Sequence, residues 1–143
     1  MASLTKPAGR LFTSNPNGLR KLKIDAELWQ ITRAGQDIPN ATIVRELSPS
    51  PELYSQFISQ WKGLPPQDWW VKYEQRFLKE LNSPDKLPLL RKIYCKLLNN
   101  TNIVLICFCQ DHIHCHRRLV GDFFRTYNVE VEELNPMMQL SMF

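Results

Sequence analysis

Residues 103–109, "IVLICFC", decide the fold. The run is seven apolar residues long, β-branched at its start, with the turn-forming "NNTN" before it and the polar "QDH" after it. A strand apolar on both faces belongs in the middle of a sheet covered by helices. Downstream, Leu119, Val120, Phe123, Phe124 and Tyr127 recur at helical spacing, Asn128 turns the chain, and "VEVEEL" alternates as a strand. Strand, helix and strand at this crossover spacing predict a parallel pair joined right-handedly.

Upstream, "AGRLFTSN" reads as a first strand over residues 10–13 followed by a loop, and "NPNGLRKL" as a turn leading into a short helical segment. Leu28, Trp29, Gln30 and Ile31 alternate as a second strand closed by Gly35, and residues 42–44 make a further short strand. From residue 50 to 98 the pattern is helical. Ser50 caps a helix that has Pro51 in its first turn and Leu53, Tyr54, Phe57, Ile58 and Trp61 on one face, ending at Gly63. A second helix from Asp68 to Leu81 carries a stripe of Trp69, Trp70, Tyr73, Phe77, Leu78 and Leu81, best read as helix packing. A third, over residues 89–98, turns Leu90, Ile93, Tyr94 and Leu97 inward. The expected architecture is one α/β domain over residues 1–143, with a mostly parallel sheet, a helical insert at about 50–98 and a tail from 135 to 143 that holds three of the four methionines.

Composition narrows the function classes. The chain has 143 residues, which one core can fill, and its 43% apolar and 22% charged residues suit a globular protein that folds alone or as a small homo-oligomer. No apolar run reaches the roughly 18 residues needed to cross a bilayer, and "MASLTKPAGR" lacks the apolar centre of a signal peptide, so a cytoplasmic protein without membrane partners is expected. Four cysteines, two of them on alternate residues of a strand, fit free thiols in a reducing compartment. A net charge of +4 favours anionic partners, although the cations are spread along the chain.

The loop after the central strand concentrates the chemistry. "CFCQDHIHCHRR", residues 107–118, holds three of the four cysteines and all three histidines. In open α/β sheets ligands gather at strand carboxyl ends, where helix N-termini present free N–H groups. A zinc site could draw on Cys107, Cys109, His112, His114, Cys115 and His116, but all these donors fall within ten residues, too short a segment to wrap a tetrahedron readily; no metal or cofactor is assigned. A thiol nucleophile, with Cys115 as first candidate and His116 as its base, is a second reading. The cysteine-phosphatase loop, a cysteine and an arginine with five residues between them, does not match Cys109 or Cys115 with Arg117. A third reading is an anion pocket in which Arg117 and the helix start bind phosphate or carboxylate. The plain reading leaves small buried thiols, solvated histidines and surface arginines.

At this point "VLICFCQDHIHCHRRLVGDFFRTYNVEVEEL" resembles the C-terminal signature of the family catalogued as domain of unknown function 488, in which an apolar strand ending in Cys leads to Cys-His-Arg opening a helix. "WVKYEQRFLKEL", "LSPSPEL", "LWQITRAG" and "LFTSN" are similar to its upstream segments, so the resemblance spans about residues 10–134. It implies a compact Rossmann-like α/β domain and no settled activity. It carries Cys115, His116 and Arg117 over as the signature triplet and Arg33 as the arginine ending the second strand, while His112 and His114 fall outside the shared pattern.

The resulting expectation is a pocket for a small anionic, nucleotide-like or phosphorylated ligand at the strand carboxyl ends. Arg33 and Arg117 neutralise the ligand, Thr13, Ser14 and Asn15 line the floor with Cys109, and Cys115 and His116 supply hydrogen bonds or catalysis. The alternatives are a nucleic-acid-associated protein, leaning on basic pI and exposed Trp69 and Trp70, and a zinc-binding or protein-interaction module.

Overall fold

The computed structural model describes residues 6–136. Its sheet has five strands, β1 (Leu11–Ser14), β2 (Glu27–Gln30), β3 (Ala41–Ile43), β4 (Ile103–Ile106) and β5 (Val131–Glu133), in the order β3-β2-β4-β1-β5. Every pairing is parallel. The run at 103–106 is central and fully buried, as its two apolar faces require. Four α-helices complete an α/β, Rossmann-like architecture: α1 (Pro51–Gln56), α2 (Trp70–Leu81), α3 (Leu87–Leu98) and α4 (His116–Arg125).

Leu11, Trp29, Ile31, Ile103 and Leu105 on one sheet face join Leu53 of α1, Phe77 of α2, Ile93 of α3 and Phe124 of α4 in one core. The opposite face, Phe12, Val104 and Ile106, is covered by Leu19 of a short 3₁₀ helix and by Leu22 and Ile38 from connections, so the α-helical cover expected on both faces is replaced there by a thinner layer.

Several local expectations shift. The segment after β1 is a 3₁₀ helix, Pro16–Lys21, capped by the Asn15 side chain, which accepts from the Gly18 N–H at 3.0 Å. Ser50 caps α1 as its residue type predicts, accepting from the Leu53 N–H, but the helix then loosens into a π-helical turn over Phe57–Trp61. A 3₁₀ turn at Pro66–Asp68 delays α2 to Trp70, and α3 begins at Leu87, earlier than its apolar spacing suggests. The crossover pair is also corrected: β5 pairs with β1 and not with β4, because the wholly buried β1 occupies the place beside the central strand. Of the tail, only residues 135 and 136 fall among those described, and its methionines lie outside them.

Candidate functional site

β4 hands its last ladder bond to Cys107, whose N–H donates to the Ser14 carbonyl at 3.0 Å. The thiol is thereby fixed at the carboxyl end of the central strand. Phe108 and Cys109 run outward, and a short turn, His112–His114, is held by Asp111, which accepts from the Ile113 N–H and contacts His114 Nδ1 at 2.6 Å. Cys115 is extended and starts α4. The loop thus doubles back, and the Cys107 and Cys115 sulfurs come to 2.8 Å of each other, with those of Cys107, Cys109 and Cys115 all within 4.8 Å of one another.

His116 turns under the second strand, where Nε2 meets the Ile31 carbonyl at 2.6 Å. A carbonyl only accepts, so Nε2 carries the proton, leaving Nδ1, 3.8 Å from Cys115 Sγ, as the acceptor when the ring is neutral. Arg117 has no exposed surface. Its Nε and Nη2 donate to the two oxygens of Glu133 at 2.9 and 3.0 Å, and its Nη1 donates to the Cys109 carbonyl at 2.7 Å and lies 3.1 Å from Cys107 Sγ. Glu133 also accepts from the Thr13 hydroxyl and the Asn135 N–H.

These contacts divide the three thiols. Burial pushes the Cys115 thiol up, and its sulfur neighbours push it further. Cys109, hydrogen-bonded to Cys107, is raised to about 12. Burial also opposes ionisation of Cys107, but the two neighbouring thiols together with His116 and Arg117 outweigh it and hold Cys107 well below the ordinary thiol range. Of the three thiols, Cys107 is the one whose surroundings favour ionisation.

A cavity of about 510 Å³ opens above these sulfurs. Cys107, Cys109, Cys115 and His116 form its floor, Tyr54, Phe57, Trp69, Tyr73 and Phe108 its walls, and Arg33 and Lys62 its cations. No aspartate or glutamate is among the described residues that line it. Arg33 is oriented by its Nε bond to the Pro49 carbonyl at 2.9 Å. Gly35 has φ +106°, a backbone state that disfavours side chains, and the Phe108 ring lies where its Cβ would be.

Arg33, Cys109, Cys115 and His116 are therefore brought together, and Arg117, Thr13, Ser14 and Asn15 are not. Arg117 lies below the floor and faces Glu133, so its charge is spent on the ion pair and the sulfurs and does not reach a ligand in the cavity. Thr13 lines a separate hollow of about 120 Å³ with His112 and Glu133. Ser14 donates to its neighbour's carbonyl, and Asn15 holds the following turn and Asn135. Trp69 is only 7% exposed, with its indole N–H on the Leu64 carbonyl, and Trp70 is half-buried, which withdraws the exposed aromatics invoked for nucleic acid.

Sequence reasoning missed Lys62, the wall formed by Tyr54 and Phe57, and Glu133. The first helix's apolar face gave Tyr54 and Phe57 as packing residues, and the fold makes them a cavity wall, Tyr54 from α1 and Phe57 from the start of the π-helical turn. The alternation of "VEVEEL" puts Glu133 on the face of Val129 and Val131 and Glu132 on the opposite one, a signal left unused; Glu133 is partly buried and Glu132 exposed.

An all-parallel sheet with a cavity at its strand carboxyl ends, floored by thiols from a strand end and a helix start, defines a Rossmann-like pocket protein. The family model DUF488-N3a, described as the active DUF488-N3 subclade, matches residues 11–128, and the chain belongs to the DUF488 family. Searches of curated proteins and of solved structures returned no significant match.

Proposed function

We propose that the protein binds a small, flat, anionic molecule of nucleotide-like or phosphorylated type in this cavity, with the ligand's reactive end on the thiol floor. The observation that carries the reading is an acid-free cavity that combines aromatic walls with two cations, Arg33 and Lys62. Aromatic side chains favour stacking of a planar group, and an arginine can grip two oxygens of a phosphate or carboxylate. Trp69 is buried and Trp70 half-buried, so the exposed aromatics that a nucleic-acid reading invokes do not favour it. All four cysteines are free thiols, which supports residence in a reducing compartment such as the cytoplasm.

A thermal-shift screen against nucleotides and phosphorylated metabolites tests this. A ligand at a hundredfold excess over its Kd stabilises by about 2.7 kcal/mol, or about 5–10 °C for a chain of this size. The expected hit raises the parent's melting temperature by that amount and raises those of Arg33→Ala and Lys62→Ala far less, each compared with its own ligand-free value. A panel without hits, or a hit that both variants retain in full, would overturn the reading.

A further inference from the structure

The three sulfurs of Cys107, Cys109 and Cys115 point to a metal centre. We propose that they hold one zinc(II) ion as thiolates at the cavity floor, with the fourth coordination position facing the cavity beside His116.

Geometry comes first. Zinc–sulfur bonds of about 2.3 Å in a tetrahedron set sulfurs about 3.8 Å apart. To reach that spacing the Cys107–Cys115 pair opens by about 1 Å from 2.8 Å, and the widest pair, within 4.8 Å, closes by at most about 1 Å. Cys109, exposed on the outgoing loop, is free to close the wider gap, whereas Cys107 and Cys115, whose backbones the strand end and the helix start hold, open their pair by side-chain rotation. The brevity of the segment, which on spacing alone argues against zinc, is overcome because the turn at His112–His114 folds the loop back on itself.

Electrostatics agree. Three thiolates on a divalent ion leave one net negative charge. Arg117 Nη1, 3.1 Å from Cys107 Sγ and 4.0 Å from Cys115 Sγ, donates toward that charge from a guanidinium that Glu133 holds in place. Cys115 stands at the N-cap position of α4, which brings the positive end of that helix next to the cluster, although its sulfur makes no cap hydrogen bond. Glu133 already balances the buried guanidinium, and the remaining nitrogen, Nη1, is the donor that a thiolate cluster would engage by a charge-assisted bond. His116 has the arrangement of a residue at a metal's edge: its Nε2–H is tied to the Ile31 carbonyl, so the unprotonated Nδ1 faces the Cys115 side of the cluster. Three protein ligands with an open position is the pattern of a catalytic zinc, which polarises a bound water or ligand oxygen. The inference rests on the proposed pocket only for what fills that fourth position.

The test measures metal content of the full chain in reducing buffer without any organic ligand, by elemental analysis after zinc loading and by competition against a chromophoric chelator. The expected result is one zinc per chain. Cobalt(II) substitution is expected to add thiolate-to-metal charge-transfer absorption. Cys109→Ser is expected to weaken binding at least tenfold, and Cys95→Ser, on the remote α3, to leave it unchanged. Because Cys107→Ser and Cys115→Ser alter the core, the exposed Cys109 variant, checked for folding by circular dichroism, is the deciding one. Less than a tenth of an equivalent of zinc on the loaded parent, or parental affinity in Cys109→Ser, overturns the metal centre. Neither result depends on the nucleotide screen, so loss of the pocket reading and loss of the metal reading appear in different measurements.

Discussion

Arg117 and Glu133 form a two-point ion pair beneath the thiol floor, with Nε to Oε1 at 2.9 Å and Nη2 to Oε2 at 3.0 Å, and the arginine is wholly buried. The pair joins α4 to the edge strand β5 and aims the remaining guanidinium nitrogen at Cys107. Removing one partner of such a pair strands a buried charge. Glu133→Gln is expected to lower unfolding free energy by about 3–5 kcal/mol, read by urea denaturation. Arg117→Lys should lose a comparable amount because an ammonium cannot span both oxygens. A loss below about 1 kcal/mol in Glu133→Gln would show that the charge is solvated after all.

The cap of α1 is a second structural joint. Ser50 accepts from the Leu53 N–H, and Glu80 of α2 accepts from the Ser50 N–H and hydroxyl. Ser50→Ala removes the cap and the hydroxyl bond together and should cost about 1–2 kcal/mol. Calorimetry checks this, and an unchanged melting temperature contradicts it.

Gly35 closes the loop beside Arg33. An alanine there must hold φ +106° and displace the tip of Phe108, a half-exposed ring that can move aside. The lasting cost is the backbone strain, about 1–3 kcal/mol. Phe108→Ala combined with Gly35→Ala should therefore restore little of it, and full restoration in the double variant would assign the cost to the ring.

His112 sets one acid-side dependence. Its burial lowers its pKa below the ordinary 6.5, Arg117 and Arg118 act in the same direction, and Glu133 and Asp111 oppose it. As pH falls through 6.5 the unfolded chain takes up a proton that the folded chain still refuses, so folding weakens until pH passes below the native pKa. Proton NMR should place the His112 midpoint under 6.5, and His112→Gln should remove this part of the stability loss between neutral and mildly acid pH. A midpoint at or above 6.5 contradicts the assignment.

The local sequence determined the central strand, the Ser50 cap and the start of α4 beside Cys115. Each follows from periodicity or from a residue's own backbone preference, which act within a few positions. The tertiary structure decided the rest. It put β1 between β4 and β5, made a wall of Tyr54 and Phe57, and turned Arg117 away from the cavity. The arginine's direction depends on a carboxylate 16 residues away, which Thr13, 120 residues away, helps to hold. Contacts at such separations arise only when the sheet assembles, because no local period records which buried charge will meet which. The three sulfurs were visible as neighbours in the chain, but their convergence needed the folded loop.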